Sequence, residues 1–315
     1  MNTDRYLKMI SQLKRPSGRV DVVLDTDAYN EVDDQFAIAY LLQSPDKVNL
    51  QAIYAAPFYD RTRSFYNYKS TSAKEGMERS YEEIQTILKL AKRDDLCDAV
   101  FRGAEDFMIA ADQPQDSPAA RDLIRRALNH NPENPLYVIG IGAPTNIASA
   151  LLLEPRIAEN IVVIWLGGNA LDWPTCREFN LSQDLSASRI LFGNTIPLVQ
   201  VPCMGVASSF AVTPQELKQF LVGKNPLCDY LAKTVLEAMN DPECQRCWSR
   251  ILWDVTACAW LLGEHLVADR FEKKPIPTED GFYSFGACQV PMRYVYYINR
   301  DALMNDMIAK LANPI

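Results

Sequence analysis

Four aspartates fall within ten positions of the stretch VVLDTDAYNEVDDQFAIAYLL, residues 22–42: Asp25, Asp27, Asp33 and Asp34. They stand between an apolar run and an apolar-periodic segment, where a strand would end and a helix begin. Asp33 and Asp34, placed ahead of QFAIAYLL, would favour a helix N-terminus. Capping does not account for four carboxylates, because the extra charges repel one another. A hard cation would offset them, and carboxylates are its preferred ligands. The loop is not an EF-hand. Counted from Asp25, positions 6 and 12 hold Asn30 and Phe36 instead of Gly and Glu. A cation here would need further ligands from distant strand ends.

Three later stretches could supply them. GIGAPTNIA (140–148) passes from a strand to a helix through Gly142, Pro144, Thr145 and Asn146. REFNLSQD (177–184) places Glu178 and Asn180 after a strand. ILWDVTACAWLL (251–262) sets Asp254 alone in an apolar run. A buried aspartate needs a partner, since desolvating its charge is costly. For Asp254 that partner is a metal or, alternatively, an arginine. Asp184, ahead of LSASRILF, reads as an ordinary helix cap.

The elements that must position these residues are legible in the pattern of the chain. Buried strands are predicted at 20–24, 50–56, 136–142, 161–168 and 196–202, rich in Val and Ile and without alternation, as in a parallel sheet covered on both faces. Helices are predicted at 34–43, 76–92, 118–129, 145–153, 185–192, 213–221, 227–239 and 251–262. CQVPMRYVYYINR adds one or two late strands. The alternation predicts a single-domain α/β fold over 1–315: an open, mostly parallel sheet with helices on both faces and a Rossmann-related core. A long polar and aromatic loop is inserted at about 57–80. In such sheets ligands bind beyond the carboxyl ends of the strands, which is where the aspartates fall.

Composition narrows the ligand. The 315 residues are 48% hydrophobic and 23% charged, enough apolar material for a large core, with a formal net charge of -8. That acidic balance argues against nucleic acid or an anionic membrane as partner and suits a small ligand. Of the eight cysteines, Cys203 and Cys258 sit in apolar runs and read as buried thiols. Cys244 and Cys247 lack the second ligand pair that a zinc site needs. The charged, amphipathic start has no apolar h-region, and no run of about 18 apolar residues occurs, so a cytoplasmic location with reduced thiols is expected.

Taken in order, Asp25-x-Asp27…Asp33-Asp34, GAPTNIA, LGG…EFN and the late Asp254 resemble the inosine-uridine-preferring nucleoside hydrolase family over roughly residues 20–265. The resemblance implies cleavage of N-ribosidic bonds with a bound Ca2+ ion and a homodimer or homotetramer. It implies that Asp27 binds calcium and deprotonates the attacking water. Asp34 and the backbone carbonyl of Thr145 would bind the metal, and Asp254 would touch both calcium and a ribose hydroxyl. Asp33, Glu178 and Asn180 would contact ribose hydroxyls. The chemistry calls for such a set, because breaking a C–N ribosidic bond develops positive charge on the sugar that nearby carboxylates stabilise.

The chain also departs from the family. The usual Asp-x-Asp-Pro-Gly-x-Asp-Asp is replaced by a gap reading AYNEV, two residues longer, which brings Tyr29, Asn30 and Glu31 toward the pocket. An asparagine expected to contact ribose falls near Pro57 and Phe58. The one that would meet the 5′-hydroxyl corresponds to Asp172 or Asn169. Trp253 stands where many members carry a histidine that protonates the leaving base, either as a core aromatic or stacked on the base. His130 and His265 match no motif position. An acid would then come from the 57–80 loop, Tyr29, Glu31 or the region of Tyr283. Two other readings compete. A haloacid-dehalogenase-type phosphatase also begins Asp-x-Asp, but has Thr or Val where Tyr29 stands. A non-catalytic nucleoside-binding homologue would tolerate the lost histidine but gives no reason to retain Asp27.

Overall fold

The computed structural model describes residues 3–59, 70–239, 247–286 and 290–313. Among them the strands are β1 (Val20–Thr26), β2 (Val48–Ala55), β3 (Val100–Arg102), β4 (Leu136–Gly140), β5 (Ile161–Leu166), β6 (Leu198–Val201), β7 (Ala211–Val212), β8 (Arg250–Ile251), β9 (Val267–Lys273), β10 (Ile276–Pro277), β11 (Tyr283–Ser284) and β12 (Pro291–Ile298). The helices are α1 (Thr3–Gln12), α2 (Asp34–Leu42), α3 (Ala73–Leu90), α4 (Pro118–Ala127), α5 (Thr145–Leu153), α6 (Phe179–Gln183), α7 (Leu185–Gly193), α8 (Pro214–Phe220), α9 (Pro226–Ala238), α10 (Val255–Leu262) and α11 (Arg300–Ala312).

Eight strands form one sheet in the order β3-β2-β1-β4-β5-β6-β12-β9, parallel except for β9, which runs antiparallel to β12 at the edge. β7–β8 and β10–β11 are separate two-stranded ribbons. Alternate residues of the central strands enter opposite layers, as the period of two requires. Val22, Leu24, Ile139 and Ile164 pack in the core containing residues of α2, α3, α9, α10 and α11, while Val23, Val138, Val163 and Trp165 pack in the core containing residues of α4, α5 and α7. Burial on both faces explains why these strands read as unbroken apolar runs.

Strand order reverses between β1 and β4, the crevice where open α/β sheets bind ligands. β1 extends two residues beyond the Leu24 end expected from sequence. Asp25 pairs in register with Tyr54 and Gly140, Ile141 N donates to Asp25 O at 2.8 Å, and Ala56 N donates to Thr26 O at 2.8 Å. Asp25 is therefore a strand residue, and the loop begins at Asp27.

The insertion after β2 is also shorter than predicted at its far end. α3 starts at Ala73, capped by the Ser72 hydroxyl, which accepts from Glu75 N at 3.1 Å. Both ends of the segment are pinned. Ser70 Oγ donates to Phe58 O at 3.1 Å, and the backbone of Tyr59 exchanges two hydrogen bonds with the Gln183 amide of α6. Residues 60–69, between those anchors, lie outside the described residues, as do Cys244 and Cys288. Cys247 is exposed, and Cys203 and Cys258 are buried free thiols. No helix among the described residues is long and apolar enough to cross a membrane.

Candidate active site

The four aspartates divide into three kinds of environment. Asp25 is buried in β1, where Asn146 Nδ2 donates to its Oδ1 at 2.8 Å and Oδ2 has no hydrogen-bond partner. Burial pushes its pKa up to about 7, against the one favourable bond from Asn146. Asn146 in turn accepts from Ala104 N at 2.8 Å and Ser117 Oγ at 3.2 Å, which fixes its amide. The asparagine of GAPTNIA thus serves the floor of the site.

Asp33 and Asp34 occupy the start of α2, but the capping explanation fails for Asp33. Its side chain makes no cap hydrogen bond. Instead the carboxylates of Asp33, Asp34 and Asp254 converge, each offering an oxygen within 4.8 Å of the others, all three buried. Their neutral support is small. Thr26 Oγ1 donates to Asp34 Oδ1 at 2.5 Å, and Asp254 N donates to Asp33 Oδ2 at 3.2 Å. Asp33 Oδ1 is buried with no hydrogen-bond partner.

Magnitudes decide what such a cluster needs. Each buried charge costs several kcal/mol to desolvate, and a hydrogen bond to a charged group returns about 1.5–3 kcal/mol. Two such bonds do not sustain three carboxylates. Each carboxyl is pushed toward its neutral form: burial and then the Asp33 charge push Asp34 up to about 7. Asp254 rises well above the usual range through burial, then the charges of Asp33, Asp34 and Asp27. Asp33 also rises through burial, opposed mainly by the positive charge of Arg250. A convergent, all-oxygen, buried donor set with an unsatisfied oxygen fits a hard divalent cation.

No arginine among the described residues forms an ion pair with Asp254. The nearest in sequence, Arg250, pairs with Glu31.

A cavity of about 290 Å³ opens above the cluster, lined by Asp27, Asp33, Asp34, Glu178, Asn180, Trp253 and Asp254 among others. Seven of the residues singled out in the sequence therefore meet from three separate segments, 27–34, 178–180 and 253–254. Asp27 lines the cavity outside the converging triplet. Its Oδ1 lies against Gly142, where a Cβ would stand at 2.9 Å. Glu178 caps α6: its Oε1 accepts from Gly168 N at 2.8 Å and Leu181 N at 2.6 Å, and Oε2 from Asn180 N at 2.9 Å. Burial still raises its pKa. Asn180 spends its Nδ2 on Ile141 O at 3.0 Å and Leu166 O at 3.1 Å, just beyond β4 and at the end of β5. Its side-chain carbonyl remains for a ligand.

Other residues sit elsewhere. Thr145, the first residue of α5, is buried and does not line the cavity; its hydroxyl donates to Asp184 Oδ2 at 2.8 Å. Asp184 also accepts from Met108 N and, as the cap of α7, from Ala187 N. Asn169 braces its own loop, donating to Thr175 O and Arg177 O and accepting from Met204 N. Asp172 is exposed and off the cavity wall. Asn30 and Glu31 reach the cavity, whereas Tyr29 lies under the Arg79 guanidinium. Tyr283 is no acid for this site. Its hydroxyl donates to Asn169 O at 3.1 Å, and burial raises its pKa well above 10. Neither histidine lines the cavity.

Sequence reasoning passed over Arg177, Phe179, Cys203, Met204 and Arg250. The first four are wall residues with no distinguishing pattern. Arg250 stands four residues before Asp254, a spacing that carries no signal until Glu31 is seen beside it.

Comparison with known proteins bears on the chain's family and fold. The profile of the family described as inosine-uridine preferring nucleoside hydrolase matches residues 22–294. Pyrimidine-specific ribonucleoside hydrolase RihA of Escherichia coli O7:K1 is 25% identical over 304 residues, covering 87% of this chain and 89% of that protein. Among solved structures, the plant nucleoside hydrolase PpNRh1 superposes with a TM-score of 0.73 at 17% identity, covering 95% of this chain and all of that one. The purine-preferring ribonucleoside hydrolase of Gardnerella vaginalis gives 0.70 at 20% identity, covering 93% and 98%. At those identities the structural likeness speaks for the fold alone.

Proposed function

Because this chain belongs to the inosine-uridine preferring nucleoside hydrolase family and is thereby an N-ribosyl hydrolase, we propose that it cleaves the N-glycosidic bond of a ribonucleoside or related riboside in a calcium-dependent reaction. The observation that carries the calcium dependence is the convergence of Asp33, Asp34 and Asp254 within 4.8 Å in a buried setting. Asp27, Asp34 and Asp254 line the cavity and would hold the ion, with Asp33 close enough to share in its charge; the carbonyl of Thr145, off the cavity wall, would have to approach to complete the set. Calcium, when bound, supplies positive charge that offsets the carboxylates and acidifies water beside it.

The remaining steps belong to the side chains. Asp27 takes a proton from the attacking water, whose oxygen bonds to the anomeric carbon of ribose. The C–N bond breaks with its electron pair going to the base, which gains a proton, and ribose is released. Asp33, Asp254, Glu178 and Asn180 hold the ribose hydroxyls, and the negative charge of the three carboxylates favours the cationic sugar. Trp253, half-buried on the cavity wall, stacks on the base. Asp172 or Asn169 is assigned to the 5′ side, and for either the loop 169–177 would have to rearrange when substrate enters.

The test is release of reducing sugar from a panel of ribosides, with and without chelator. Asp27→Ala should lower kcat by about 10²–10⁴ with metal still bound. Near wild-type kcat in that variant would refute the role given to Asp27, and full activity in chelator would refute calcium dependence. The acidic chain is assigned a small-molecule partner in the cytoplasm and a homodimer or homotetramer, which light scattering on the purified protein checks.

A further inference from the structure

One ion pair joins the lengthened loop after β1 to the segment that ends in Asp254. Arg250 Nη2 donates to Glu31 Oε2, and both side chains are only 14% exposed. Glu31 precedes Asp33 by two residues, and Arg250 precedes Asp254 by four. The bond from Asp254 N to Asp33 Oδ2 at 3.2 Å ties the same two segments. The loop is also held on its far side. Gln35 Nε2 donates to Ala28 O at 2.8 Å, to Glu31 O at 3.4 Å and to Glu83 Oε1 at 3.2 Å. The backbone of the loop is thus fastened toward α3, while the Glu31 side chain reaches across to β8.

A shielded ion pair adds little net stability, because desolvation offsets the attraction; the best-attested use of such pairs is registration. We propose that Glu31 and Arg250 form a positioning latch, which sets loop 28–33 against segment 250–254 so that Asp33, Asp34 and Asp254 converge. Neither residue is assigned contact with the reacting atoms. The latch rests on the calcium reading only in the second of its two tests.

The first test is hydrogen exchange in chelator on wild type, Glu31→Gln and Arg250→Gln. Either substitution should speed exchange about tenfold in both 28–33 and 250–254, since one coupling is lost from either end. Faster exchange confined to the substituted segment would overturn the latch. The second test is calorimetric calcium titration, where charge and position predict opposite signs. Removing the Arg250 cation should tighten cation binding if charge alone matters. The latch predicts binding about tenfold weaker in each single variant, and a double variant no worse than the weaker single. Unchanged or tighter binding in Arg250→Gln overturns it. If Arg250→Gln does not fold, Glu31→Gln carries the exchange measurement, which decides the latch by itself, because for Glu31 charge and position predict the same sign in the calcium titration. Absence of calcium binding in the wild type would refute the cation reading, while the exchange result still decides the latch.

Discussion

A Cβ on Gly142 would lie 2.9 Å from Oδ1 and 3.1 Å from Cγ of Asp27, and 3.2 Å from the Ala56 methyl. The carboxylate has no room to give on that side without turning toward the cavity. Gly142→Ala should therefore lower kcat by about 10–100-fold while KM and folding change little, because small displacements of a reacting group are costly. Steady-state kinetics beside a melting curve would check this. A second expectation follows from Trp253, whose indole N–H does not ionise usefully. A riboside whose leaving group needs no proton, p-nitrophenyl riboside, should show higher kcat/KM than inosine or uridine at the same pH. Faster turnover of the natural nucleosides would reveal an efficient acid among the other cavity residues. The sequence made the converging carboxylates legible because their density defied capping. It did not separate Asp25, which serves the strand, from Asp27, which faces the cavity. That distinction depends on where β1 stops pairing, which is set by β2 about thirty residues on and by β4 more than a hundred residues on.

Elements showed themselves in proportion to the apolar surface they bury. β1, β2, β4, β5 and β6 are covered on both faces and were legible as Val- and Ile-rich runs. β3 has three residues, and β9 reads VADRFEK, an edge strand with exposed charges that a search for apolar runs passes over. α11, with a mixed polar pattern, was also passed over; its buried residues are Leu303, Met304, Met307 and Leu311. Between α2, α3 and α9 lies a polar contact that no pattern announces. Buried Glu83 receives hydrogen bonds from Gln35 and from the Tyr230 hydroxyl, and burial raises its pKa above 4.5 despite both. A carboxyl with a raised pKa in the fold contributes fully below its unfolded value and loses that contribution as pH rises through the folded value. Glu83→Gln keeps the bonds and removes the titration. The variant should match wild type below pH 4.5 and melt at progressively higher temperature than wild type as pH rises, measured in chelator. A constant difference across pH would contradict the assignment.

For the molecule as a whole, a cation held only by the folded chain stabilises by mass action, about 2.7 kcal/mol at a hundredfold excess over Kd. In a chain of this length about 1 kcal/mol moves Tm by roughly 2 °C, so saturating calcium should raise Tm by several degrees, read by scanning calorimetry against chelator. Asp33→Asn should melt higher than wild type in chelator, since one repelling charge is gone, yet gain less from calcium. The architecture was legible because the order of runs and helices permits few topologies. The closure of the site was legible only through the family resemblance, because it joins residues far apart in the chain. Asp254 donates its backbone N–H to Asp33 across 221 positions. That distance also sets a schedule for the protein's birth. At ~5–20 residues per second, roughly 10–45 s separate the synthesis of Asp33 from that of Asp254. Through that interval a nascent chain carries two adjacent acids at the start of α2 and lacks the third. Capture of a cation by all three carboxylates would have to wait until Asp254 has been made, after every strand from β1 to β8.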